Sequence, residues 1–287
     1  MNVLVTGADG QLGSELCGRL RAAGHAPIAF THREADFTQA AELRAAISAQ
    51  RADWVINCAA HTQVDKAESE ADLAFAVNRD GAAALAEAVA GYGGRLLHLS
   101  TDFIFDGAQS HPYREDAVAN PLGVYGRSKW EGEQAVRATL PDAVILRTAW
   151  VYGAHGHNFV KTILRLAGER DALSIVDDQI GSPSWTGDIA DAVLRLIGQD
   201  ARGCYHFTNE GVASWYDFAV AIVAEARALG MPLRVQRIAP IPTAGYPTPA
   251  RRPAYSVLDK QKIRAALGAP IPHWRESLIK MLQELQA

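Results

Sequence analysis

Tyr125 and Lys129 stand four residues apart in the stretch Leu122–Trp130, which reads Leu-Gly-Val-Tyr-Gly-Arg-Ser-Lys-Trp. In a helix that spacing sends both side chains from one face, one turn apart. An unperturbed phenol, with a pKa of about 10, is a reluctant acid near neutrality, and a neighbouring cation favours its phenolate and so eases release of the proton. Such a pair suits reduction of a ketone, in which hydride reaches the carbonyl carbon while a proton reaches its oxygen. Many helices carry Y-x-x-x-K by chance, so the pair gains meaning only from what converges on it. Thr101 supplies a third group, a hydroxyl able to hydrogen-bond a developing alkoxide.

The elements that must position these groups follow from periodicity. Val3–Thr6, Pro27–Phe30, Trp54–Asn57, Arg95–Ser100 and Ala143–Arg147 are short apolar runs that read as strands. Between them, Leu12–Ala23, Thr38–Gln50 with Thr38 as N-cap, Asp72–Ala90 and the Tyr125 segment read as helices. This alternation predicts an α/β, Rossmann-type doubly wound parallel sheet with right-handed crossovers. Past about Trp150 the rhythm loosens, with a proline-rich run at Ala239–Pro253. The expectation is a dinucleotide-binding domain over residues 1–150 and a smaller α+β substrate lobe over 151–287, with segments able to exchange between them. In the second lobe Asn158–Ala167, Asp188–Ile197, Trp215–Leu229 and Pro272–Leu285 read as helices, and Leu173–Val176, Gly203–Phe207 and a segment near Leu233–Ile238 as strands.

Gly7, Gly10 and Gly13 follow the first strand and open the first helix. Glycines there permit a tight turn, close approach of a pyrophosphate and close helix–strand packing, while the helix N-terminus offers free N–H groups to the anion. The G-x-x-G-x-x-G spacing departs from the G-x-G-x-x-G fingerprint, so position carries the assignment. At the end of the second strand, where an acidic residue would hold a ribose 2′-hydroxyl, the chain has Thr31, His32 and Arg33. Arg33 suits a 2′-phosphate and favours NADPH, with NADH left open and a solvated loop charge as the alternative. Asp36 and Phe37 are placed to contact the adenine. Ala59 and Ala60 end the third strand with the small side chains that a bound dinucleotide requires, and Cys58 beside them reads as a packing residue.

The 287-residue chain, 48% hydrophobic, is long enough for a sizeable core, and its net charge of -4 gives no general attraction to nucleic acid or an anionic membrane. Three widely spaced cysteines argue against a disulfide framework or a zinc site. With no export signal or membrane span in view, the expected location is the cytoplasm.

Several longer motifs make the sequence recognisable: Asn57–Glu68, Ser100–Gly107, Tyr125–Lys129, Arg147–Tyr152, Asn158–Ala167 and Tyr246–Pro253. Together they cover essentially the whole chain. It resembles the extended short-chain dehydrogenase/reductases, and within them the branch that reduces the C4 ketone of dTDP-4-dehydro-β-L-rhamnose with NAD(P)H. The resemblance implies Tyr125 as proton donor, Lys129 as orienter of the cofactor and Thr101 as assistant to Tyr125. It also implies Gly10, Gln11, Leu12, Asp36, Phe37, Ala60, His61 and Thr62 on the cofactor, and Val64, Thr101, Asp102 and Trp150 on the substrate. Some relatives dimerise through magnesium held partly at the position of Glu15 and around Gly187-Asp188. That second acidic cluster is depleted here, so no metal site is assigned, magnesium is left uncertain, and monomer and homodimer both stay open.

A dTDP-sugar brings a diphosphate that needs cations. Arg251 and Arg252, in a proline-stiffened segment, can give fork-like bonds to phosphate oxygens, with a surface charge pair as the alternative. Asn158 opens a helix whose N-terminus could face the diphosphate, with Lys161 one turn on. Trp150 offers an apolar plate for a deoxysugar, a reading evenly balanced against a core role on the residues alone. His155 and His157 lack a third ligand and read as a polar loop. Rival readings are a sugar-nucleotide epimerase or dehydratase, which uses the same Tyr and Lys, and a non-catalytic NADP-binding regulatory subunit. A dehydratase wants an acidic pair beside Thr101, where Asp102 is followed by Phe103.

Overall fold

The structure, a computed structural model, describes residues 1–286. Six strands form one parallel sheet: β1 (Val3–Thr6), β2 (Ile28–Phe30), β3 (Trp54–Asn57), β4 (Arg95–Thr101), β5 (Val144–Thr148) and β6 (Gly203–His206). Their order across the sheet is β6-β5-β4-β3-β1-β2. The named helices are α1 (Gln11–Ala22), α2 (Ala40–Gln50), α3 (Ala82–Tyr92), α4 (Val124–Thr139), α5 (Phe159–Glu169), α6 (Thr186–Gly198), α7 (Trp215–Ala228), α8 (Gln261–Leu267) and α9 (Trp274–Glu284). β1, β3 and β5 are buried at every position, as strands covered on both faces must be. One face packs Val3, Val5, Ile56 and Leu146 against Leu16 and Leu20 of α1, Val193 and Leu196 of α6, and Ile263 of α8. The other packs Leu4, Val55 and Ile145 against Leu43 and Ile47 of α2, Leu85 and Val89 of α3, and Val136 of α4.

β1 has β2 on one side and β3 on the other, so chain direction across the sheet reverses there. In such sheets a ligand binds outside the carboxyl ends of the strands at that switch point. The glycine turn after β1 and the Cys58–Thr62 loop after β3 flank it.

The second lobe gathers α5, α7 and α9 around Tyr152, Val160, Ile163, Phe218, Ile222, Leu278 and Met281. Its strands Ala172–Val176 and Arg237–Ile241 pair in parallel. The second of these starts later than the segment expected near Leu233–Ile238. A single cut at residue 150 does not follow the packing. Gly203–His206 pairs with β5 as the edge strand of the main sheet, α6 packs on α1, and α8 joins the same core. Their apolar residues fit that face, and local pattern carries no record of which lobe a strand will join.

Two helix expectations are corrected. Thr38 does not cap α2, whose N-cap position is Gln39; instead Thr38 donates its backbone N–H and hydroxyl to Asp36 Oδ1, at 2.9 and 2.7 Å. The expected helix Asp72–Ala90 is three pieces: Ala71–Phe75, a π-helical turn over Ala76–Gly81, and α3. Single π turns within helices are frequent at functional sites. Here the turn presents Asn78 to the site described next. No helix among the described residues is long and apolar enough to cross a membrane.

Candidate active site

The glycine turn is closed by Gly10, which donates its N–H to the Gly7 carbonyl at 2.9 Å. Gly7 has φ +63°, and a Cβ on it would lie 2.8 Å from the Ala59 backbone nitrogen. A Cβ on Gly13 would lie 2.1 Å from the Gly7 oxygen. The first and third glycines are thus required by backbone packing between β1, α1 and the loop after β3. Gln11 and Leu12 open α1 with no side-chain cap on its N-cap Gly10, which leaves amide groups for an anion.

Beneath the switch point runs a buried polar chain. The Thr6 hydroxyl donates to Asn57 Oδ1 at 2.7 Å, Ala59 N donates to the same oxygen at 3.1 Å, and Asn57 Nδ2 lies 2.9 Å from His98 Nδ1. Burial, then the Lys129 charge, hold His98 well below its ordinary pKa, so its ring is neutral. Burial pushes the Cys58 thiol up, leaving it no nucleophile.

Asn78, on the π turn, fastens the loop after β3 to α4. Its Oδ1 accepts from His61 N at 2.8 Å, and its Nδ2 donates to the His61 carbonyl at 3.1 Å and to Ser128 Oγ at 2.9 Å. Ser128 in turn donates to the Tyr125 carbonyl at 2.9 Å. Glu68 Oε1 accepts from Val124 N at 2.9 Å and so caps α4 from the same loop. Neither role is visible in local sequence, although a lone asparagine inside an alanine-rich helix is a signal, because asparagine competes poorly for helix interiors.

α4 approaches β4 closely. A Cβ on Gly126 would lie 2.2 Å from the Phe103 carbonyl oxygen, so only glycine allows this contact. The Phe103 ring meets Tyr125 edge-on, with centroids 5.5 Å apart. The Tyr125 phenol faces the Thr101 hydroxyl closely enough for it to act on the phenol's pKa. Thr101 donates to Asp102 Oδ1 at 3.1 Å and accepts from Phe103 N at 3.1 Å. Burial pushes Asp102 up to about 6, with the nearby Ser256 and Thr101 hydroxyls working downward. Lys129 donates to the Leu99 carbonyl at 2.7 Å. Burial pulls it down to about 8, opposed by Glu133. Thr101, Tyr125 and Lys129 therefore gather around the carboxyl end of β4.

Lys129 by itself does not make the phenol acidic. Burial pushes Tyr125 up to about 12, with the Thr101 hydroxyl working downward and the Asp102 charge upward. Lys129 is turned to a backbone carbonyl. The acid is therefore held in its protonated form, and what acidifies it must arrive with the reactants.

The other candidate residues divide. Ala59, Ala60 and His61 line the loop beside Gly7, with Thr62 exposed and Val64 opening a short helix. At the end of β2, Arg33 is exposed and its guanidinium has no partner among the described residues. An acidic group missed in the sequence stands beside it: Glu34 Oε2 accepts from Thr31 N at 2.8 Å and from Thr31 Oγ1 at 2.5 Å. Asp36 is engaged by Thr38, and Phe37 is buried in the core, so neither presents its side chain as expected. Asn158 caps α5 through Lys161 N at 3.1 Å and donates to Gln11 Oε1 at 3.0 Å. Its side chain joins the two lobes rather than facing a phosphate. Lys161 donates to the carbonyls of Ala154 and Gly156 and staples its own loop. Arg252 forms a two-pronged pair with Asp65, at 3.1 and 2.8 Å, strapping the proline-rich segment to the first lobe. Arg251 is exposed and its side chain has no partner among the described residues. Trp150, with φ +47°, stacks on Trp215 at 3.5 Å between ring centroids, so one face of the expected plate is already covered.

The residues do not fit a bound magnesium ion. Glu15 and Asp191 both pair with Arg19, each at 2.8 Å, and Asp188 accepts from Asn209 and Ser277. No cluster of three metal-ligating side chains occurs among the described residues.

A parallel sheet with a glycine turn at its switch point and a Thr/Tyr/Lys set at the next strand ends defines an oxidoreductase of the short-chain dehydrogenase/reductase class. The family described as the RmlD substrate binding domain matches residues 1–287, and the chain belongs to it. A dTDP-4-dehydrorhamnose reductase of Aggregatibacter actinomycetemcomitans is 44% identical over 283 residues, covering 96% of each chain. A dTDP-4-dehydrorhamnose reductase from Clostridium acetobutylicum superposes with a TM-score of 0.94 at 39% identity over 100% of both chains. One from Bacillus anthracis, solved in complex with NADP, gives 0.93 at 36% identity over 99% of each.

Proposed function

We propose that this chain reduces the C4 ketone of dTDP-4-dehydro-β-L-rhamnose with NADPH, and that Tyr125 gives the proton. The observation that carries this reading is the gathering of Thr101, at the end of β4, with Tyr125 and a buried Lys129 on α4, beside a glycine turn shaped for a dinucleotide. NADPH supplies the hydride that adds to the carbonyl carbon, converting C=O to CH–OH once oxygen gains its proton. Tyr125, protonated across the neutral range, loses that proton to the oxygen. Lys129, carrying positive charge below about pH 8, holds the ribose hydroxyls. The neutral polar chain from Thr6 to His98 fixes the floor beneath without adding a competing charge.

The exposed Arg33 favours the 2′-phosphate of NADPH, in keeping with the NADP found on a relative. The exposed Arg251 guanidinium supports a bond to the diphosphate of the sugar nucleotide, from a segment that Arg252 and Asp65 hold in position. Mixing the purified protein with the 4-keto sugar nucleotide and following NADPH absorbance tests the reading. One NADPH consumed per sugar reduced is expected. Product formation without NADPH loss would indicate an epimerase, and no chemistry at all a regulatory subunit.

A further inference from the structure

Thr101 is not the only hydroxyl at the reacting end of the sheet. In the register of the sheet Thr101 of β4 lies opposite Thr148, the last residue of β5. Neighbouring strands are about 4.8 Å apart and paired residues project to the same face. The two threonines therefore stand side by side. Their situations differ: the Thr101 hydroxyl already serves Asp102 and Phe103 N. Thr148 is 7% exposed, and its Oγ1 is buried without a hydrogen-bond partner.

A buried hydroxyl left unpaired is unfavourable, and the great majority of such groups in folded proteins find a partner. On β5, Val144 and Leu146 pack with Leu12 and Leu16 of α1, so alternation places Thr148 on that same face, beyond Leu146 at the carboxyl end. The N-terminus of that helix carries the glycine turn. A dinucleotide whose pyrophosphate rests on α1 and whose far ribose reaches Lys129 must lay its last ring over the ends of β4 and β5.

We propose that Thr148 is a cofactor-binding residue, its hydroxyl bonding the carboxamide of the nicotinamide ring and so fixing which face of the ring looks toward Tyr125. This inference rests on the reading of the chain as an NADPH-dependent reductase. Thr148 would then be unpartnered only until the carboxamide arrives, and it would set the angle of the ring while Thr101 and Tyr125 attend to the substrate oxygen.

Thr148→Val keeps the shape and β-branching and removes only the hydroxyl. Two measurements separate a binding role from a structural one: the Kd for NADPH, from quenching of tryptophan fluorescence, and the Tm of the ligand-free protein. Loss of one neutral hydrogen bond of about 0.5–1.5 kcal/mol converts to NADPH binding about 2–10-fold weaker. The ligand-free Tm should be unchanged or higher, because a methyl group replaces an unpaired hydroxyl. Thr148→Ser should restore most of the affinity. Unchanged NADPH affinity in Thr148→Val would overturn the inference, including the case in which only the KM for the sugar nucleotide rises. So would a lowered ligand-free Tm with unchanged affinity. Wild-type protein that binds no NADPH would overturn the reductase reading and this inference together; wild-type binding with an equally tight Thr148→Val would overturn this inference alone.

Discussion

The cofactor side and the substrate side of the cleft are built differently. On the cofactor side, backbone packs on backbone at Gly7, Gly13 and Ala59, buried side chains are joined from Thr6 through Asn57 to His98, and Asn78 ties the His61 backbone to the Ser128 hydroxyl. On the substrate side, the groups that looked available from sequence are mostly engaged in holding the second lobe together. Lys161 staples a loop, Asn158 caps a helix and reaches Gln11, and Arg252 is paired with Asp65. The proposed chemistry sits on a strand end and a packed helix, the rigid elements on which a reacting geometry is best kept, whereas the proposed substrate recognition rests on exposed Arg251 and a Trp150 that already has a partner.

Substitutions can break or sharpen that contrast. Tyr125→Phe should lower kcat by roughly 10²–10⁴-fold, the range for loss of a positioned proton donor, with the Kd for NADPH near normal; a variant turning over at the wild-type rate would remove the phenol from the mechanism. Arg251→Ala should raise the KM for the sugar nucleotide by about 10-fold, as loss of a charge-assisted hydrogen bond implies, with NADPH binding unaltered in direct titration. Arg33→Ala should reduce the ratio of kcat/KM for NADPH over NADH by about 3–10-fold, the loss of one charged contact at an exposed site; an unaltered ratio would leave Arg33 a solvated loop charge. Arg252→Ala should act through the strap instead, and for this partly exposed pair the cost is about 1 kcal/mol, read as a lower Tm and a modest rise in the sugar KM.

The pH dependence follows from Lys129. Its folded-state pKa is lowered to about 8, so its charge is present below that value and lost above it. NADPH affinity should fall as pH rises through about 8, and Lys129→Met should flatten that profile. Tyr125, pushed up to about 12, should contribute no titration of its own to binding between pH 6 and 9, a window set by the two pKa values.

Much of this was readable before any coordinates. Alternating strand and helix periods gave the sheet, and Gly7, Tyr125 and Lys129 announced themselves by position, because each depends on neighbours in the chain. What was hidden depends on neighbours in space. Asp72–Ala90 has an unbroken helical pattern, so the π turn that aims Asn78 has no local sign beyond that one asparagine. Gly203–His206 carries the composition of any buried strand, and only its pairing with β5 returns it to the main sheet. The pairing of Arg252 with Asp65 spans most of the chain, and the engagement of Glu34 by Thr31 turns on the direction of a loop. Trp150 reads as a free plate until Trp215 is seen against it.

The central claim is that hydride passes from NADPH to the sugar while Tyr125 supplies the proton. Its most direct test uses NADPH deuterated at the transferable position of the nicotinamide ring, mixed with dTDP-4-dehydro-β-L-rhamnose and this protein in ordinary water. The account predicts deuterium on C4 of the sugar, one NADP⁺ formed per reduced product, and near loss of that product with Tyr125→Phe. Reduced sugar carrying no deuterium, or label transferred by Tyr125→Phe at the wild-type rate, would contradict it.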